Sequence, residues 1–214
     1  MKKIKLLIIL LFSVVGTLFA QSSPPDPVAL LNKTAQRYNV LPSFSFKFTV
    51  SVDDPIVKNT KITGQLFIKK EKYYLKLDDQ IIANDGVTMW NYQKTINEVS
   101  IFDATDDDFS LYHPIRILNS WDKDYKAKTI NEEMVNNVKV TIIDLTPKKQ
   151  FTFYKMRLYI ENTTSLIQKI MIYQIDSPTI TYSITKFTFN DTIEDSIFTF
   201  NKKDYPNVHI NDMR

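Results

Sequence analysis

The chain has 214 residues, 27 basic and 24 acidic, and no cysteine, so neither a disulfide framework nor a thiol-borne lipid anchor is open to it. Its formal charge of +3 vanishes once the first twenty residues are set aside, because they hold three lysines and no acid. A balanced remainder argues against nucleic acid as a partner, since phosphate binding needs a concentrated basic surface.

Those first twenty residues read as an export signal. Lys2, Lys3 and Lys5 form a basic start, Ile4 to Val15 is almost wholly apolar, and Gly16, Thr17 and Ala20 supply small residues before a cleavage expected after Ala20. The apolar run is too short to span a bilayer, which takes roughly 20 residues, and no other segment approaches it. The mature protein is expected to be soluble outside the cytoplasm. Residues 21–25 make a polar linker, and residues 26–214 are long enough for one domain with a sizeable core.

Asp26 followed by Pro27 has the form of an N-cap and first helical position. Val28, Leu31, Ala35 and Tyr38 recur at helical spacing, predicting an amphipathic helix that ends near Asn39. From residue 43 the period changes to two. "SFSFKFTVSV" puts Phe44, Phe46, Phe48, Val50 and Val52 on one face and polar residues on the other. Similar runs follow at 62–69, 72–77, 87–92, 97–102, 138–145, 151–160, 167–175 and 180–189. Short turn signals such as Asn84-Asp85-Gly86 and Asn136-Asn137 separate them and favour hairpins. One stretch, "DDDFSLYHPIRILNSW" from Asp106 to Trp121, breaks the pattern. There His113-Pro114 opens a short helix with Ile115 and Leu118 on one side.

The fold class is therefore mainly β (α+β): a strongly curved antiparallel sheet forming an incomplete barrel, capped by an N-terminal helix and a short helical insertion. A sheet of so many strands must curl, because each strand pair adds twist. If the two helices cross its concave side, they cover whatever the phenylalanine face lines.

Catalytic machinery is not visible. Three glycines, one of them in the signal, leave no room for a phosphate loop or dinucleotide fingerprint. His113 and His209 stand alone, without the clustering a metal site needs, and no G-x-S-x-G occurs. The acidic run Asp103, Asp106, Asp107 and Asp108 lacks the alternation and glycine of a calcium loop and reads as a solvated loop. What abounds is aromatic surface: 14 Phe, 11 Tyr and 2 Trp.

"GQLFIKKEKYYLKL", "NDGVTMWNYQ", "HPIRILNSWDKDY" and "DSIFTFNKKDYPNVHINDMR" resemble, in that order, the landmarks of the periplasmic outer-membrane lipoprotein carrier family, LolA. Three motifs carry the resemblance. They are the D-G-x-T-x-W turn at Asp85, Gly86, Thr88 and Trp90, the proline-led insertion at Pro114, and a terminal V-x-x-D-x-R. In the last, Val208 and Arg214 match and Asp212 stands one place late. Membership would imply a periplasmic monomer, neither enzyme nor cofactor-binding, holding lipoprotein acyl chains in an apolar cavity. Such a carrier takes cargo from an inner-membrane ABC transporter and yields it to an outer-membrane acceptor, without inserting stably into either membrane. Carriage of another lipid or glycolipid, and a lipid-sensing or scaffolding role, are the alternatives.

On this reading the cavity is lined by Phe44, Phe46, Phe48, Val50, Leu66, Ile68, Tyr73, Leu75, Leu77, Trp90, Ile115 and Leu118. The family's lid-latching arginine follows a G-x-L-x-V-K stretch. Here that stretch is Gly64 to Lys69, which puts the latch position on Lys70, with Glu71 where the family has proline. Parity would place Lys70 on the inward face with Leu66 and Ile68.

Overall fold

A computed structural model describes residues 25–53, 61–104, 114–175, 178–189 and 192–214, without the side chains of residues 114 and 115. The expected signal and the acidic run at 106–108 lie outside the described residues. Helix α1 runs Pro27–Asn39, its first turn capped by the Asp26 carboxylate, which accepts from the Val28 N–H at 3.1 Å. The buried face is not quite the one the spacing suggests. Leu31, Thr34 and Tyr38 are buried and Val28 is largely exposed, because the helix docks from its second turn onward.

The remainder is one 12-stranded sheet in the order β12-β6-β5-β4-β3-β2-β1-β11-β10-β9-β8-β7. Its left half in this order is a meander of β1 (Phe44–Asp53), β2 (Lys61–Lys69), β3 (Lys72–Lys76), β4 (Gln80–Asn84), β5 (Thr88–Gln93) and β6 (Glu98–Asp103). The right half is β7 (Tyr125–Val135), β8 (Val138–Pro147), β9 (Phe153–Glu161), β10 (Ile167–Gln174) and β11 (Thr179–Phe189). Strand β11 returns to pair with β1 and joins the halves. Every pairing is antiparallel except that of the terminal β12 (His209–Asp212), which lies parallel to β6. The sheet is open: β12 and β7 are its two ends.

Local chemistry places the turns. Gly86 adopts φ 92, and the Asp85 carboxylate accepts from the Val87 and Thr88 N–H groups, both at 2.8 Å. Asn136 and Asn137 both take positive φ in the two-residue link from β7 to β8, as a hairpin matched to strand twist requires. Three strands escaped the periodicity. β4 carries Ile81, Ile82 and Ala83 in succession because both of its faces are covered, so it does not alternate. β7 is an end strand rich in charge, and β12 is short and exposed throughout.

The concave face holds the main core. Phe44, Phe46, Phe48 and Val50 of β1 meet Leu66, Ile68, Tyr73, Leu75 and Ile82 on one side and Ile143, Leu145, Met156 and Leu158 on the other. Leu31 and Tyr38 of α1 close over them with Ile117, Leu118 and Trp121 of α2 (Pro114–Asp124). Strands β6 and β7 stand towards opposite ends of the sheet, and α2, which leads directly into β7, packs on its concave side.

The convex face of β3–β6 is covered as well. Val208, Phe200 and Tyr205 from the last stretch of chain pack on Ile81, Tyr92 and Val99, with the Tyr92 and Tyr205 rings 4.4 Å apart. The same stretch is pinned by Asp195, whose carboxylate receives Lys69 Nζ at 2.7 Å and Lys72 Nζ at 3.1 Å. Hydrogen bonds from Lys69 and then Lys72 hold this carboxyl below its ordinary value of 3.8. A depressed carboxylate contributes above that ordinary value, and its contribution is lost as pH falls through the depressed one. Amide exchange over Asp195–Phe198, corrected for intrinsic rates, is therefore expected to accelerate below about pH 3.8. In Asp195→Asn the same acceleration should be present at neutral pH.

Candidate functional site

Phe44, fully buried, stacks on Phe187 with ring centroids 5.4 Å apart and meets the edge of Tyr38 at 5.4 Å. Phe46 stacks on the same Phe187 ring at 6.0 Å. This end of the phenylalanine row is filled by its own side chains. Beyond Phe46 the face is hollow. A cavity of about 160 Å³ opens there, lined by Phe46, Phe48 and Val50 of β1, Leu66 of β2, and Leu75 and Leu77 at the end of β3.

Six of the twelve residues expected to line a cavity therefore do so. Phe44, Ile68, Tyr73 and Leu118 belong to the packed core around it. The side chain of Ile115 lies outside the described residues. Trp90 is corrected: it faces the convex side, against the cluster of Ile81, Tyr92, Val99 and Val208. The reason is register, because Trp90 stands opposite Ala83 and Met89 opposite Asn84, so Met89 is the residue of β5 that joins the concave core.

The sequence reading missed the far wall and the roof. Ile167, Ile170 and Ile172 of β10, Tyr182 and Ile184 of β11, and Met156 of β9 complete the lining, with Ile62 of β2. Tyr38 of α1 and Ile117 of α2 cover it. Two irregularities in register explain why simple alternation does not reveal them. The β10–β9 pairing shifts between Ile167 and Lys169, bringing Ile167 to the same face as Ile170. The β11–β1 pairing shifts beside Thr185, bringing Ile184 and Phe187 to one face.

Among the described residues, none in the lining carries a charge. Two hydroxyls belong to the lining, those of Tyr38 and Tyr182. That of Tyr38 accepts the Ile167 N–H at 3.2 Å, and burial pushes its ionisation far above the ordinary phenol range. The remaining lining is hydrocarbon, aromatic ring and thioether. Chemically it can hold hydrocarbon and do little else. A dry cavity of roughly 150 Å³ accepts a benzene-sized guest. At its present volume this one takes a few methylenes, and a larger guest requires the roof to move.

The roof is attached unequally. α1 is tied to the sheet by the buried Tyr38–Ile167 bond and by Thr129 Oγ1 donating to the Pro25 carbonyl at 2.7 Å. α2 is held by more exposed groups. Trp121 Nε1 donates to Asn32 Oδ1 at 3.1 Å, and the Asn39 and Asn119 amides bond each other at 2.8 and 3.3 Å. Arg116 donates to the Ala104 carbonyl at 3.1 Å and lies 3.8 Å from the Glu71 carboxylate in the β2–β3 turn. The C-terminal end of α2 is further held by the Lys148 N–H, which donates to the Asp124 carbonyl at 2.8 Å, while Ile117, Leu118 and Trp121 seat its apolar face.

The inward placement expected for Lys70 is not found. The residue adopts φ 57 in the β2–β3 turn and is exposed, because strand alternation stops at Lys69 and the inward row of Leu66 and Ile68 is not continued. The cation that approaches this turn from the roof is Arg116 on α2.

Gly64 lies behind Phe48 and Leu77, two of the cavity's lining residues. A Cβ there would lie 2.4 Å from the Phe48 ring and 2.7 Å from Leu77, so both side chains rest directly on its backbone. Gly64→Ala is expected to cost about 1–3 kcal/mol and to push the Phe48 ring into the hollow. Urea unfolding and hydrocarbon-probe affinity should both register the change.

A crystal structure of an uncharacterized conserved protein from Thermus thermophilus shares this fold, with a TM-score of 0.58 at 8% identity, covering 86% of this chain and 99% of that one. An uncharacterized protein of Methanocaldococcus jannaschii is 25% identical over 201 residues; the match covers 92% of this chain and only 58% of that relative's length. The outer-membrane lipoprotein carrier protein of Wigglesworthia glossinidia brevipalpis is 30% identical over 210 residues, which are 92% of each chain. Residues 41–201, reaching from the start of β1 to the segment that covers the convex face, match the family described as outer membrane lipoprotein carrier protein LolA, and the chain belongs to that family.

Proposed function

We propose that this protein is a periplasmic carrier that shields the acyl chains of lipoproteins in its apolar cavity and moves them from the inner to the outer membrane. The observation that carries the reading is a hollow on the concave face, without a charged residue among those described in its lining, and roofed by two helices. Burying hydrocarbon is worth about 0.8 kcal/mol per methylene, so even partial insertion of one chain opposes its return to water. Release is served by the same modest volume, because the described lining is dominated by hydrocarbon and aromatic surface that holds the chain without directional bonds. The donor on this reading is an inner-membrane ABC transporter, the acceptor an outer-membrane protein, and the carrier works as a monomer without cofactor or catalysis.

A second cargo is favoured by the cavity's size: a single-chain lipid fits with less displacement of α2 than a lipoprotein bearing several chains. Native mass spectrometry of protein purified from its own envelope tests both. Mass adducts equal to an acylated protein support lipoprotein carriage. Adducts of free lipid support the second reading, and protein that remains empty after purification in the presence of envelope lipids overturns both.

A further inference from the structure

A second, polar hollow of about 310 Å³ lies on the convex side of the same strands, with Lys47, Thr49, Thr63, Gln65, Lys76 and Thr185 around it. Its chemistry is that of an anion site. Two ammonium groups, three hydroxyls and an amide surround the space, and Asp78 is its single acid. Lys47 stands directly opposite Lys186 across the β1–β11 pair and, on its other side, opposite Gln65, which pairs with Lys76. Like charges directly opposite on neighbouring strands are destabilising, and none of these three lysines has an ion-pair partner among the described residues. The face tolerates a concentration of positive charge that an anion would relieve.

The two hollows adjoin. Phe48 and Leu77 belong to the walls of both, and at Gly64 only backbone separates the groove from the Phe48 ring. The ladder between β2 and β3 stops at the Gln65–Lys76 pair, so Lys61 to Gly64 run on without β3 beside them, while the chain turns away after Leu77. Among the described residues, that leaves a gap in the ladder, with the half-buried Ile62 and Leu77 on the concave side and Thr63 and Lys76 on the convex side.

We propose that this groove binds the phosphate of an anionic lipid headgroup whose acyl chain occupies the cavity, the molecule bending through the gap beside Leu77. The inference rests on the carrier reading and adds a headgroup class to it. Lys47 and Lys76 supply the charge-assisted bonds, and the Thr49 and Thr63 hydroxyls complete the phosphate's shell, that of Thr185 already donating to the Lys47 carbonyl at 3.1 Å.

Calorimetric titration of the full chain at low ionic strength, with lauroyl glycerol phosphate and lauroyl glycerol below their micellar concentrations, separates the parts. The expected result is that the phosphate form binds about tenfold tighter, and that this preference shrinks as salt is added. In the exposed double variant Lys47→Gln/Lys76→Gln the preference should vanish while lauroyl glycerol binds as before. Equal affinity of the two lipids for the unaltered protein, or a preference that survives the double variant, overturns the headgroup site and leaves the cavity intact. Glycerol phosphate binding as tightly as the lipid would mark the groove as a site for free phosphate and overturn the coupling to the cavity. Failure of lauroyl glycerol to bind at all is the failure of the carrier reading itself.

Discussion

Ile170→Trp combined with Ile184→Trp is expected to abolish uptake of hydrocarbon while leaving the protein folded. Both isoleucines line the cavity from the β10–β11 wall, and neither is fully buried, so the larger rings have the hollow itself to enter. Filling a void of about 160 Å³ removes the room in which methylenes are sheltered. Excluding as few as two of them forfeits about 1.6 kcal/mol, more than a tenfold loss of affinity. Displacement of a fluorescent fatty-acid probe measures the loss, and circular dichroism of the same sample checks that the sheet persists. Normal probe binding by a folded double variant would place the guest elsewhere.

Phe44→Ala is expected to do the opposite damage: a large loss of stability from the filled end of the same row. The side chain is inaccessible to solvent and in ring contact with Tyr38, Phe46 and Phe187. Truncating such a residue costs about 3–5 kcal/mol, transfer and residual void together. For a chain of this size that corresponds to a fall in Tm of roughly 6–20 °C. Urea denaturation should show an earlier midpoint with an unchanged slope. A loss below about 1 kcal/mol would mean that the neighbouring rings collapse into the gap and that this end of the core is soft. Taken together, the two variants separate a row of phenylalanines into a structural end and an open end.

That division could not be read from the strand itself. Alternation identifies the face on which Phe44, Phe46 and Phe48 lie, and it does so because one face of an antiparallel strand is buried and the other wet. Whether the face is filled depends on what stands opposite. Phe187 fills it at one end, and its partner relation to Phe46 arises from the β1–β11 pairing, between segments far apart in sequence. The register shifts beside Thr185 and before Lys169 then break the two-residue rhythm on the very strands that supply the far wall. Sequence patterning located the helices more reliably than it located their buried faces. Asp26 and Pro27 mark the start of α1, yet Thr34 rather than Ala35 is the fully buried residue, because docking angle is a tertiary property. Trp90 and Lys70 went astray for two separate reasons. Trp90 lies on a correctly placed strand whose convex face is also apolar, covered by the last stretch of chain. The inward placement of Lys70 came from extending alternation one residue past the end of a strand, into a turn with φ 57.

Helix α2 limits what the protein can carry, because it runs without a break into β7, the strand that ends the sheet. A bulky guest that lifts the helix therefore pulls on that rim. Girth of cargo and curvature of the sheet are thus coupled through one junction, Asp124 to Tyr125. Inserting a few residues at that junction should uncouple them and widen the range of guests accepted.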